Sequence, residues 1–214
     1  MADIVIYSDT QDGYVSSTST SNFAAARDRT SGAANHIATR YAYSSRASRV
    51  FSRGTTTWTF VRSFFEFDTS DIHVMPSAAI LSIYGYNQNS ADIYAVKSTQ
   101  GTSLANADFD AIEGWVGGED NSSNVTKYSS EVTTWSTSDY NVITLNGQAR
   151  ADIAGLDNFT ICCIENDYDL VNNDPGADFT AYTGMHYSDY TGTSRDPKIV
   201  ITPGDDTLFF GANF

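Results

Sequence analysis

Short runs of alternating apolar and polar residues dominate the chain, and clusters of Gly, Asn, Asp and Ser separate them. In Val61-Arg-Ser-Phe-Phe-Glu-Phe67, every second residue starting at Val61 would lie on one face of a strand. Such alternation predicts strands of a sheet that has one buried side. The predicted strands cover residues 3–7, 13–17, 36–42, 47–52, 57–67, 79–86, 92–97, 140–145, 158–164, 178–182, 185–188, 198–202 and 207–210.

Helical patterns are scarce, and they occupy only two short stretches. Residues 105–112 predict a turn or two, and residues 146–153 predict one short helix that ends at Gly155. Residues 16–35 and 114–139 are expected to form loops. More than ten short strands with few helices predict an all-β fold, a single β-sandwich of jelly-roll type.

The composition fits this fold class and disfavours some kinds of partner. The net charge is −14, whereas nucleic-acid-binding proteins need a basic footprint. No stretch approaches the roughly 20 apolar residues of a membrane helix, so no membrane partner is expected. Residues 1–62 nevertheless hold seven basic and four acidic side chains. This Arg-bearing segment is either a solvated surface or faces an acidic patch on its own domain or on a neighbour.

The two cysteines, Cys162 and Cys163, are adjacent in a predicted strand. Adjacent strand residues point to opposite faces, so we expect no disulfide between them. The first residues, MADIVIYSD, have neither the basic nor the apolar region of a secretory signal. The chain is therefore expected to stay in the compartment where it is made.

Residues 62–86, RSFFEFDTSDIHVMPSAAILSIYGY, contain the most specific pattern. They resemble the signature of the DNRLRE-type domain and of related carbohydrate-binding-module-like sandwiches. SDTQDGYVSS near the beginning and SRDPKIVIT near residue 200 resemble the start and end of that family. The resemblance implies a β-sandwich over residues 1–203, followed by a tail strand within residues 204–214. The matching positions are Arg62, Phe65, Phe67, Asp68, Pro76, Ala79, Leu81, Ile83 and Tyr84.

Family members are usually secreted and joined to other domains, whereas a lone sandwich with an aromatic tail resembles a virion component of a bacteriophage. The ending FFGANF is similar to the endings of structural proteins from marine phages. This resemblance implies a non-enzymatic structural protein that decorates a capsid or forms part of a tail, knob or fibre. Its partners would be other virion proteins and further copies of itself, and it would assemble in the host cytoplasm.

The tail is the predicted partner-binding element. Its apolar residues have strand propensity, and they follow the last strand of the family resemblance. We expect the tail to add as a strand to a neighbouring molecule, although folding back onto its own sheet edge is the alternative. The residues concerned are Leu208, Phe209, Phe210 and Phe214.

A second function left open is that of a carbohydrate-binding module that attaches to host-surface glycans. Flat aromatic rings stack on sugar rings, and the chain contains 13 Tyr and three Trp residues. The predicted sugar-binding residues are Trp115, Tyr182, Tyr187 and Tyr190, with Tyr41 and Tyr43 as further candidates. An enzyme acting on polysaccharide is the third alternative, but no Gly-x-Ser-x-Gly elbow occurs and no catalytic residue is predicted.

One acidic segment is a candidate for a structural calcium ion. Its carboxylates lie within ten residues of one another, and calcium prefers several hard oxygen ligands. An acidic surface loop is the alternative interpretation. The predicted ligands are Glu165, Asp167, Asp169 and Asp174.

Overall fold

Eleven strands, all paired antiparallel, form one continuous sheet in the residues that the computed structural model describes, 2–37, 39–90 and 92–204. The predicted all-β fold class is therefore confirmed, whereas the jelly-roll type stays a prediction. The strands are β1 (Ile4–Tyr7), β2 (Gly13–Ser19), β3 (Ala34–His36), β4 (Tyr41–Ser52), β5 (Thr55–Asp68), β6 (Ala78–Asn89), β7 (Ile93–Lys97), β8 (Tyr140–Thr144), β9 (Asn158–Glu165), β10 (Phe179–His186) and β11 (Lys198–Thr202).

The helices are short and lie between strands. They are α1 (Phe23–Arg27), α2 (Gly147–Gly155), a 3₁₀ helix (Asn106–Asp110) and a π-helix (Asn166–Leu170). The prediction of α2 is confirmed, and Asn146 caps it by accepting a hydrogen bond from Ala149 N. The loop predicted over residues 16–35 was wrong in part, because β2 extends to Ser19 and α1 follows it. No helix in the described residues is long and apolar enough to span a bilayer.

One apolar cluster joins distant parts of the sheet. The inner face of β5 contributes Phe65 and Phe67, and β6 contributes Leu81. Residues of β9 and β11, among them Ile161 and Ile199, complete the same cluster. Strands at separate positions in the sheet thus pack against each other in a sandwich-like arrangement. The prediction of one buried side was wrong for β5, because its residues from Phe60 to Phe67 are all buried.

A second apolar cluster lies on the other face of β5 and β9. Phe64 and Cys162 belong to it, and α1 and the 3₁₀ helix cover it with Phe23 and Phe109. Cys163 belongs to the first cluster, so the two cysteines point to opposite faces, as predicted, and both are free. Burial raises the pKa of Cys163 to about 12, and it also raises the pKa of Cys162.

A buried ion network crosses the second cluster. Asp169, in the π-helix, accepts two hydrogen bonds from Arg62, at 2.9 Å from Nε and 2.7 Å from Nη2. Arg27, at the end of α1, donates from Nε to the Asp169 carbonyl at 2.6 Å. All three side chains are fully buried. For Arg27 and Arg62, the alternative in which the basic segment faces acidic groups of its own domain is confirmed.

Candidate functional site

A row of aromatic side chains covers the sheet where β10 lies between β4 and β6. Most of these residues occupy alternate positions, so the pleat turns them to the same side of their strand. Gly184 keeps the strands close, because a Cβ there would lie 2.9 Å from the backbone of Asn87. We call this row the tyrosine face; it consists of Tyr41, Tyr43, Tyr84, Tyr86, Tyr182, His186 and Tyr190.

The rings of the tyrosine face contact one another in a continuous chain. The ring centres of Tyr41 and Tyr86 are 4.3 Å apart, and those of Tyr43 and Tyr182 are 4.9 Å apart. Tyr86 also lies 5.7 Å from Tyr43, so it links β4 to β6. Tyr41 and Tyr43 remain 45% and 46% exposed, which leaves their rings open to a ligand.

His186 lies at the centre of the tyrosine face and is only 2% exposed. Four tyrosine rings of the face are centred 5.2 to 5.9 Å from its ring. Burial, and to a smaller extent the charge of Arg195, lower the pKa of His186 to about 4. At neutral pH the imidazole is therefore uncharged, and it packs as one more flat ring.

A cavity of about 310 Å³ opens beside the exposed tyrosines. It lies where β4 separates from β5, since Arg46 pairs with Val61 while Tyr41–Ser44 pair with β10 alone. Ser45, the bulged residue at this fork, has a φ of +42°. The lining residues are Tyr14, Tyr41, Ala42, Tyr43, Arg46, Val61 and Tyr86.

Arg46 is the charged group of this cavity. Its Nε donates to Ser48 Oγ at 3.2 Å, and it forms no ion pair with any carboxylate in the described part of the chain. Burial lowers the pKa of Arg46, and the neighbouring Tyr182 opposes this shift. The remaining guanidinium N–H groups are thus available to oxygen atoms of a ligand.

Cations also fix the far side of the tyrosine face. The Arg195 guanidinium lies 4.9 Å from the ring centre of Tyr84 and 4.6 Å from that of Tyr190. Lys198 Nζ lies 4.1 Å from the ring centre of Tyr140, which itself packs against Tyr84. These cation–π contacts hold the rings in place before any ligand arrives.

The four predicted sugar-binding residues fall into three different settings. Tyr182 and Tyr190 belong to the tyrosine face. Tyr187 is fully buried, and its hydroxyl bonds to Ser44 Oγ and Ser63 Oγ, so it is out of reach of a ligand. Trp115 packs against the second apolar cluster, with the guanidinium groups of Arg27 and Arg62 4.5 and 3.9 Å from its ring centre.

Three members of the tyrosine face, Tyr84, Tyr86 and His186, were not among the predicted sugar-binding residues. A signal for two of them is present in the sequence, because Tyr84-Gly-Tyr86 repeats the pattern of Tyr41-Ala-Tyr43. Two tyrosines separated by one small residue place both rings on the same face of a strand. His186 carries no such signal.

The predicted calcium ligands do not converge on one point. The Glu165 carboxylate accepts hydrogen bonds from the backbone N–H groups of Asp167, Tyr168 and Asp169, and burial raises its pKa to about 8. Asp169 is occupied by the two arginines, and Asp174 is exposed and accepts from Gly176 N.

Asp167 alone joins other carboxylates. One oxygen each of Asp92, Glu131 and Asp167 lie within 4.8 Å of one another. Burial and the charges of Asp92 and Glu131 raise the pKa of Asp167. Calcium binding stays a prediction, and of the four predicted ligands only Asp167 belongs to a carboxylate group close enough to share one ion in the described residues.

The predicted partner-binding residues Leu208, Phe209, Phe210 and Phe214 lie outside the described residues. The chain matches no protein-family model, and no curated protein matches it either. Its resemblance to the DNRLRE-type domain and to phage structural proteins therefore stays a prediction.

Proposed function

We propose that the protein is a non-enzymatic binding protein that attaches to carbohydrate through its tyrosine face. The observation that carries this proposal is that two exposed tyrosines adjoin a cavity lined by Arg46, which forms no ion pair within the described residues. Sugars present flat C–H faces and a rim of hydroxyl groups. Aromatic rings suit the first, and a guanidinium suits the second.

The cavity has the dimensions and chemistry of a small-ligand site. Its volume of about 310 Å³ is at the lower end of the usual range of about 300–1,000 Å³ for ligand pockets. Tyr41, Tyr43 and Tyr86 supply flat apolar walls, and Arg46 supplies directional donors. One or two sugar units would fill the cavity while the rest of a glycan lies along the tyrosine face.

Preorganisation supports the same function. Six of the seven rings are carried by the paired strands β4, β6 and β10, and Trp135 Nε1 donates to Gly184 O at 3.1 Å. A surface whose side chains are already held by neighbouring rings loses little conformational entropy when it binds. This rigidity distinguishes the tyrosine face from a set of loop tyrosines.

The test is glycan binding by a pair of matched variants. Tyr41→Ala combined with Tyr43→Ala should weaken binding of the glycan identified on an array by about thirtyfold, or about 2 kcal/mol. Titration calorimetry measures this change. Tyr7→Ala, which removes a tyrosine that is 40% exposed on β1, should leave the affinity unchanged. An array that stays blank at high protein concentration, or equal affinities of all three proteins, would contradict the proposal.

The second candidate is a structural role in a phage particle. In this role, many copies of a jelly-roll sandwich would adhere to other virion proteins. It rests on the resemblance of the sequence, and glycan binding is compatible with it. A virion protein that displays the tyrosine face outward would attach the particle to host-surface glycans.

A further inference from the structure

An apolar groove lies at the point where the described part of the chain ends. Its volume is about 330 Å³, and its walls come from the start of β1, the loop after β5 and the end of β11. Ile4 and Val74 on these walls are 39% and 40% exposed. The lining residues are Ile4, Asp71, Ile72, His73, Val74, Ile201, Pro203 and Gly204.

The chain itself enters this groove. Pro203 and Gly204 form part of its wall, and a Cβ on Gly204 would lie 2.3 Å from Met75 O and 3.4 Å from Val74 Cγ1. The backbone therefore already runs along the 74–75 segment at Gly204. Val74 and Met75 present exposed apolar side chains beside this point, and Met75 is 45% exposed.

Ten residues, Asp205-Asp-Thr-Leu-Phe-Phe-Gly-Ala-Asn-Phe214, follow Gly204 in the sequence. Four residues of extended chain span about 13 Å, so Leu208 is within reach of a groove that begins at Gly204. Leu208, Phe209 and Phe210 are apolar, like most of the side chains that line the groove. Asp205 and Asp206 follow Gly204 in the sequence, and His73 is among the residues that line the groove.

We propose that residues 205–214 dock into this groove of their own chain, with Leu208, Phe209 and Phe210 covering the exposed side chains of Ile4, Val74 and Met75. The occupant is the same chain rather than a second copy because it is tethered at the groove wall. A tether gives the tail a high effective concentration there without any loss of translational freedom. The docked tail also lies beside β1, which has an unpaired edge in the described sheet.

The test uses a reporter cysteine in the full chain. Cys162 and Cys163 are both fully buried, so a thiol reagent should report almost only on an introduced surface cysteine. In Val74→Cys, the docked tail should slow the labelling. Adding Phe209→Ala and Phe210→Ala should accelerate labelling severalfold, whereas adding Asn213→Ala should not. In Val142→Cys, on β8 and 64% exposed, the tail substitutions should have no effect.

The outcomes separate the possible occupants. Circular dichroism confirms that each variant is folded, and light scattering gives its mass. Equal labelling of Val74→Cys with and without the phenylalanines would overturn the proposal. Protection that grows with protein concentration, or a dimer that the double substitution disperses, would assign the groove to a second copy and would equally overturn it. None of these results depends on glycan binding.

Discussion

Tyr182 and Tyr187 lie close together in the sequence, but only Tyr182 can contact a ligand. Tyr182 is half-buried, and its ring meets Tyr43 on the tyrosine face. Tyr187 is buried against Phe65, and two serine hydroxyls satisfy its own hydroxyl group. A tyrosine is suited to either setting, because it combines a large apolar ring with one polar atom. The residue type therefore does not decide between core and site.

Asp12 is a second residue whose setting determines its behaviour. Its carboxylate is fully buried and accepts hydrogen bonds from Ser8 Oγ at 2.6 Å and Ser188 Oγ at 2.7 Å. Burial raises its pKa from 3.8 to about 7, despite these hydrogen bonds, which oppose the shift. The folded state therefore holds this proton more tightly than the unfolded state does.

We predict that the stability contributed by Asp12 is complete below pH 4 and is lost as the pH rises through 7. Linkage predicts that the free energy of unfolding decreases by at most about 1.4 kcal/mol per pH unit between about pH 4 and pH 7. Urea unfolding of the wild type and of Asp12→Asn at several pH values measures it, because the variant lacks the titrating group. The control is a separate variant, Asp174→Asn, which changes an exposed carboxylate. The difference in unfolding free energy between this variant and the wild type should not follow the pH across the window. A flat difference for Asp12→Asn would contradict the prediction.

The strands show where local pattern and long-range pairing differ. Residues 36–42 and 47–52 predict two strands, but β4 runs unbroken from Tyr41 to Ser52. The interruption predicted from the sequence corresponds to a bulge at Ser45. On β10, Tyr182 pairs with Arg46 and Thr183 pairs with Ser44, so Ser45 has no partner in the register of β10. A bulge bends a strand without ending it. Here it lies at the fork that forms the cavity.

The π-helix is held by charges that come from other elements. Its Asp169 pairs with Arg62 of β5 and lies 3.7 Å from Arg27 Nε of α1. A single buried carboxylate thus offsets two guanidinium groups, with Asp28 as a further partner of Arg27. Such a network is costly to break, because each group left behind is an uncompensated buried charge.

We predict that Asp169→Asn destabilises the protein by about 3–5 kcal/mol, since it leaves both arginines without their shared counter-charge. Chemical unfolding measures the loss. The matched control is Asp178→Asn, which breaks the exposed pair with Arg49 at 2.7 Å and should cost no more than about 1 kcal/mol. Similar losses in the two variants would mean that the buried network is worth no more than a surface pair.

At the scale of the whole molecule, the uneven charge of the sequence is partly resolved inside the fold. The arginines of residues 1–62 include Arg27 and Arg62, which are buried against Asp169, and Arg49, which meets Asp178. Arg46 is different, because it lines a cavity without an acidic partner in the described residues. Three arginines of the basic segment thus pair with carboxylates of their own domain, whereas Arg46 is available to a ligand in the cavity.

The predicted role in a phage particle is tested at this same scale. A virion component should co-purify with particles in a constant number of copies, which quantitative mass spectrometry of purified particles measures. Absence from intact particles would contradict the role in the virion and would leave the proposed glycan binding untouched. If the free protein binds glycan as well as the particle-bound protein does, glycan binding does not depend on assembly into a particle.

The sequence by itself determined most of the strand pattern, the all-β class, helix α2 and the opposite orientation of the two cysteines. These features depend on a period of two or on neighbours a few residues away. Only the tertiary structure decided which tyrosines form a face, which carboxylates are taken by arginines, and where a cavity opens. Tyr41 lies opposite His186, and Arg62 meets Asp169, because strands distant in the chain pair and pack. The exposure of a side chain and its contacts depend on that packing, so they cannot be predicted from the local sequence pattern.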